Sequence, residues 1–205
     1  MAKTTSVAEQ HETRTRLVES AAELFSRQGY GGTGIKTVLS KAGAPYGSLY
    51  HFFPGGKQEL GEAALKHGGD RYRAMIEERH PVGSDPVEAV RQSFEESATV
   101  LAESDYADTC PIATVALEAS STHEPLRQAA AAAFDSWLEV LESRFHEAGL
   151  PSEQAREVAV SCFCLMEGSV LLARTTKSPE PLHIAGRAAT GILTAALNEA
   201  ALTRA

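Results

Sequence analysis

The stretch Tyr46-Gly47-Ser48-Leu49-Tyr50-His51 places hydrogen-bonding groups and two flat aromatic rings around residues with almost no side chain. On a helix, Gly47 and Ser48 let the backbone approach a surface closely, and near a helix N-terminus their N–H groups can meet phosphate or base edges. Tyr46, Tyr50 and His51 offer donors and apolar ring faces to the same surface. Lys36 upstream and Lys57 downstream add positive charge on either side, suited to phosphate contacts. Together this is the chemistry of a major groove, with base edges met in the middle and phosphates at the flanks. Thr33 stands where its hydroxyl is expected to cap the helix carrying Lys36, and it is counted with these residues among the expected DNA contacts. Other chemistries lack their signatures. The sequence has no Gly-x-Ser-x-Gly elbow and no His-Glu-x-x-His, and its seven histidines are scattered. Three cysteines are too few for a disulfide framework. Cys162 and Cys164, two apart on a helix, diverge by about 200° and cannot share a metal. Cys110, Cys162 and Cys164 therefore read as small buried hydrophobes. No catalytic residue, metal or cofactor is expected, and the chain is not read as an enzyme.

The elements that must position these residues are helical. Leu17, Val18, Ala21, Ala22, Leu24 and Phe25 form one apolar stripe, closed by Gly29 as a C′ residue. A short helix is expected from Gly34 to Ala42, broken by Gly43. A second runs from Pro45, suited to a first turn, to Phe52. Pro54-Gly55-Gly56 stops it. Ile35, Val38 and Leu39 face inward from the first, and Leu49, Phe52 and Phe53 from the second. Isolated helices this short are marginal, so the preceding striped helix must clamp them. Helical patterns then follow at about 57–79, 86–103, 111–119, from 124 or 125 to about 148, 152–175 and 182–202. The expected fold is all-α, about nine helices: an N-terminal three-helix helix-turn-helix domain at 12–62, its motif at 34–53, and a C-terminal helical domain at 63–205. The polar start MAKTTSVAEQ reads as a flexible arm, not a secretory signal.

The net charge of −8 over 205 residues looks wrong for a nucleic-acid partner until it is divided along the chain. Residues 1–60 carry seven Lys/Arg against five Asp/Glu, net +2, and the remainder 12 against 22, net −10. A mildly basic head on an acidic body fits contact with phosphate at one end only.

The run Gly29-Tyr30…Thr33…Ala42-Gly43-Ala44…Gly47-Ser48-Leu49-Tyr50-His51-Phe52…Lys57 resembles the DNA-binding domain of the TetR/AcrR transcriptional regulators, over about residues 12–62. The resemblance implies that the second short helix is the recognition helix, that Tyr50 and Lys57 meet phosphates, and that Tyr46 to Ser48 approach bases. Two departures stand out. Tyr50 and Lys57 are seven positions apart where most members have six, and Phe52 replaces a common His. Pro54-Gly55-Gly56-Lys57 and Cys110-Pro111-Ile112-Ala113-Thr114-Val115-Ala116-Leu117-Glu118 are similar to the LmrA/YxaF-like subgroup. That similarity implies a repressor of transporter or catabolic genes, released from a near-palindromic double-stranded operator by a small aromatic or drug-like effector.

In the body, apolar residues suited to a planar guest are Val100, Leu101, Ile112 and Val115. Phe134, Trp137, Leu138 and Leu141 add to them from one helix, with Phe163 and the adaptable Met166 from the next. The same positions suit a plain core. His123 and Glu167 are the polar residues to watch there. Val158 to Ala173 is apolar nearly all round, too short for a bilayer's roughly 20 residues, and contains Glu167. A helix apolar on every side must be covered on every side. The helices at 152–175 and 182–202 are therefore expected to form a homodimer. A cytoplasmic location, with no membrane contact, completes the expectation.

Overall fold

The computed structural model describes residues 7–107 and 110–204. Among them are nine helices and no strand: α1 (Val7–Gln28), α2 (Ile35–Ala42), α3 (Tyr46–Phe52), α4 (Gly56–Arg79), α5 (Pro86–Glu103), α6 (Pro111–Ala119), α7 (Glu124–Glu147), α8 (Ser152–Thr176) and α9 (Glu180–Arg204). The all-α expectation holds. The expected arm is shorter than read, because Val7–Gln10 already belongs to α1; Lys3 lies outside the described residues.

The boundaries follow from local chemistry. Gly29 has φ 76°, and its N–H donates to the Phe25 carbonyl, closing α1. Gly43 has φ 60° and donates back onto the last turn of α2; both backbones are left-handed, a conformation glycine adopts without a Cβ penalty. Asp85 caps α5 by accepting from the Val87 N–H at 2.9 Å, and Pro86 follows at the first turn. Cys110 serves α6 in the same way, its Sγ accepting from the Ala113 N–H at 3.4 Å.

The chain forms two compact units. One comprises residues 1–70 and 110–133, the other 71–109 and 134–205. The first unit therefore takes in α6 and the first turns of α7 besides the N-terminal helices. Leu17, Ala21 and Phe25 of the α1 stripe are almost fully buried in it, as are Val38, Leu49, Phe53 and Leu60. Truncating such a buried Phe costs roughly 3–5 kcal/mol, so this stripe is what holds two helices of only eight and seven residues in place.

In the second unit α9 lies along both α5 and α8. Gly186 of α9 meets the Phe94 ring so closely that a Cβ would stand 2.9 Å from Phe94 Cβ. On α8, Ala155, Val158, Ala159, Cys162 and Ala173 are buried, whereas Val160, Cys164, Leu171 and Leu172 are exposed. The outward course of α9 shows Ile184 and Ile192. By length and composition alone α8 would suffice to cross a membrane. Cys164 is a correction to the expectation of three buried thiols. It lies opposite the buried face, where the helical period turns it outward. Cys162 is buried, which pushes its thiol up to about 12.

Candidate DNA interface and effector body

α3 buries Leu49, half-buries Ser48 and Phe52, and turns Tyr46, Gly47, Tyr50 and His51 outward. Tyr46 is 60% and Tyr50 54% exposed, unusual for side chains of this size, and their rings lie 6.3 Å apart. Gly47 and His51 are exposed between and beside them, and a Cβ at Gly47 would meet open space. The close approach expected at Gly47 is therefore sterically available. Ser48 is half-buried, and its N–H is spent on the Pro45 carbonyl at 3.0 Å, closing the first turn. Lys36 is exposed on the first turn of α2.

Two expected contacts sit differently. Thr33 does not cap α2; that position is Gly34, without a side-chain cap. Thr33 is fully buried, and its hydroxyl points back, donating to the Gly29 carbonyl at 2.7 Å, with the Leu24 carbonyl at 3.3 Å. The hydroxyl is used in tying the end of α1 to the turn, which leaves it no surface to offer a phosphate. Lys57 is half-buried and does not simply project outward. Its Nζ lies 4.4 Å from the Tyr30 ring centroid, a cation–π position. Burial pulls this ammonium below its ordinary range, and the Glu118 charge opposes the fall.

Other residues of the head escaped the sequence reading. Arg14 of α1 stacks its guanidinium 5.2 Å from the Phe53 ring. Arg16 donates to the Ala42 carbonyl at 3.1 Å, and Lys41 pairs with Glu23 at 2.9 Å, so part of the head's positive charge fastens α1 to α2. Glu59 accepts from the Gly55 N–H at 2.7 Å, holding the Pro54-Gly55-Gly56 turn at the start of α4. The spacing of four between Gly55 and Glu59 was the readable signal. Glu118 accepts from the Gly31 N–H at 2.6 Å across 87 positions, which no local pattern announces.

The residues expected around an effector divide between the units. Ile112 and Val115 are almost fully buried on α6, in the same unit as the head. His123 also belongs there, its ring 5.4 Å from that of Tyr30. In the second unit Phe134, Trp137 and Phe163 form an aromatic cluster with Tyr72: Tyr72 stacks on Trp137 at 5.3 Å, and Phe163 meets Phe134 at 5.4 Å. Leu101, Leu138 and Leu141 belong to the adjoining buried core, with Met166 packed against it. Glu167 is half-buried on α8. Val100 stands apart at 52% exposure. Two surface clefts, about 570 and 620 Å³, are lined by other residues, the first between α5 and α9 around Arg91 and Arg187, the second around Arg79 and Glu96. Among the described residues no cluster of His, Cys, Asp or Glu could hold a metal ion.

Comparison with known proteins matches both parts of the chain. Residues 17–64 fit the profile of the bacterial regulatory proteins of the tetR family, and residues 86–188 that of the transcriptional regulator LmrA/YxaF-like C-terminal domain. The HTH-type transcriptional regulator YxaF of Bacillus subtilis is 33% identical over 171 residues, covering 83% of this chain and 90% of its own. An HTH-type transcriptional regulator of Mycobacterium tuberculosis is 37% identical over 191 residues, covering 91% and 96%. Among solved structures, a TetR transcriptional regulator from Chloroflexus aurantiacus superposes with a TM-score of 0.77 at 26% identity, covering 92% of this chain and 97% of its own.

Proposed function

Because this chain belongs to the TetR family, with an LmrA/YxaF-like C-terminal domain, and is a DNA-binding transcriptional regulator and not an enzyme, we propose that it is a ligand-responsive repressor that releases a near-palindromic operator when a small aromatic molecule binds its body. The observation that carries the DNA-facing half of this reading is the exposure of Tyr46 and Tyr50 beside Gly47 on an otherwise well-anchored α3. Large aromatic side chains left in water on a seven-residue helix are explained by a surface they meet.

Tyr46, Gly47 and Ser48 approach base edges, Tyr50 and His51 adjoin them, and Lys36 and Lys57 flank on phosphates. Residues 12–62 act as the DNA-binding domain and 63–205 as the effector-binding and dimerising domain. The dimer forms through the exposed apolar faces of α8 and α9, setting two recognition helices one DNA turn apart, about 34–36 Å. The effector enters at the Phe134–Trp137–Phe163 cluster, and its binding energy favours a state whose recognition helices fit the operator less well, through α4, which starts beside the head at Lys57 and continues into the body. As a DNA-binding regulator similar to bacterial relatives, it is read as acting in the cytoplasm.

The test is fluorescence anisotropy with labelled duplex from the chain's own upstream region, at several salt concentrations. Tyr46→Ala is expected to relax base discrimination, at a cost of about 1–3 kcal/mol per lost base contact. Lys57→Ala is expected to weaken all duplexes alike and flatten the salt slope by about one ion. Equal loss of discrimination in both variants would overturn the assignment. The body is tested by Trp137, the one tryptophan, whose emission should shift when planar aromatic compounds that release the duplex are titrated in; release with unchanged emission rules that cluster out as the pocket.

A further inference from the structure

The turn between α1 and α2 is built around a carboxylate that the DNA-binding segment does not itself contain. Glu118, in the last turns of α6, accepts the Gly31 N–H at 2.6 Å. Gly29 and Gly31 both present their hydrogen-only faces to it. A Cβ on Gly29 would stand 2.6 Å from Glu118 Oε2, and one on Gly31 would overlap Oε1. Two glycines set a residue apart, with one of their N–H groups on a single carboxylate oxygen, make a fitted receptacle for Glu118.

The turn so held bears on the DNA face in two ways. It carries Thr33, whose hydroxyl returns to Gly29, and then enters α2 at Ile35, so its position sets that of α2 and of α3 packed beside it. It also carries Tyr30, on whose ring the Lys57 ammonium rests, and Glu118 supports the charge of that ammonium.

We propose that Glu118 is a positioning residue for DNA binding: its carboxylate seats the Gly29–Gly31 turn, so the helix-turn-helix reaches full operator affinity only with α6 in place. The inference rests on the reading of α3 as the recognition helix. It assigns the C-terminal family domain a residue that completes the head.

The experiment uses the full chain and the labelled upstream duplex. Glu118→Ala empties the receptacle. Gly31→Ala evicts the carboxylate, and cheaply, since the atom displaced is the far end of a flexible side chain and Gly31 does not have a positive φ. Each is expected to weaken operator binding about tenfold, with thermal unfolding little changed because Glu118 is exposed. The double variant should be no weaker than either single one, since both remove the same contact. Glu118→Gln keeps an oxygen for the Gly31 N–H and should stay within about threefold of the unsubstituted chain. Unchanged affinity in Glu118→Ala and Gly31→Ala, or losses that add in the double variant, overturns the proposal. Should Glu118→Ala fail to fold, Gly31→Ala and Glu118→Gln still decide it. If the unsubstituted chain binds no duplex, the operator reading falls with it; if it binds and the variants bind equally, this inference falls alone.

Discussion

At His80, burial and neighbouring charge act in one direction. The imidazole is 3% exposed, its Nε2 meets Ser93 Oγ at 3.1 Å, and its Nδ1 has no hydrogen-bond partner among the described residues. Burial, then repulsion from Arg79 and Arg144, pushes it down from 6.5 to about 4. A histidine neutral when folded and protonated when unfolded contributes stability that is complete above about pH 6.5 and is lost as pH falls toward 4. The loss should approach about 3 kcal/mol, read as a falling urea midpoint. His80→Gln should flatten that part of the profile; identical profiles in the two proteins would remove His80 as its source. Thr33 shows the same side-chain scale from the other side. A threonine before a helix looks like a cap from sequence, and only the position of the Gly29 carbonyl reveals that its hydroxyl is bound backwards.

Helix boundaries were legible because each rests on residues adjacent in sequence: Gly29 and Gly43 at left-handed ends, Pro86 and Pro111 at first turns. Asp85 gives this a measurable size. Asp85→Ala leaves the Val87 N–H without its acceptor and should cost about 1 kcal/mol, seen in the denaturant midpoint with the m-value unchanged. The exposed face of α3 was readable from its outward polar and small residues, whereas α8, apolar nearly all round, hid which side turns out, and Cys164 was misplaced for that reason. What could not be read was pairing between distant elements. That α6 packs on α1 and meets Gly31 through Glu118, and that Lys57 leans on Tyr30, are contacts between residues far apart in the chain. The effector residues suffer from the same limit: helical spacing makes Ile112 and Trp137 equally apolar, and only the fold puts them in different units.

For the molecule as a whole, the apolar surface of α8 and α9 must be hidden from water if the chain is to work as the proposed dimer. Leu171, Leu172 and Ile184 are each more than half exposed, and Ile192 is 41% exposed. Leu171→Glu with Ile184→Glu should give a monomer by light scattering, and uncoupling the two half-sites should cut operator affinity at least about 100-fold. A dimer that persists would place the interface elsewhere. Cys164 shares this outward face of α8, whereas Cys110 and Cys162 are buried. The chain thus offers one accessible sulfur to a maleimide, on the surface proposed to pair. A spin label there would need no cysteine-free background. With its counterpart on a second chain it would act as a ruler across the assembly, and the rate at which the bare thiol reacts would fall as protein concentration rises, a chemical clock for association.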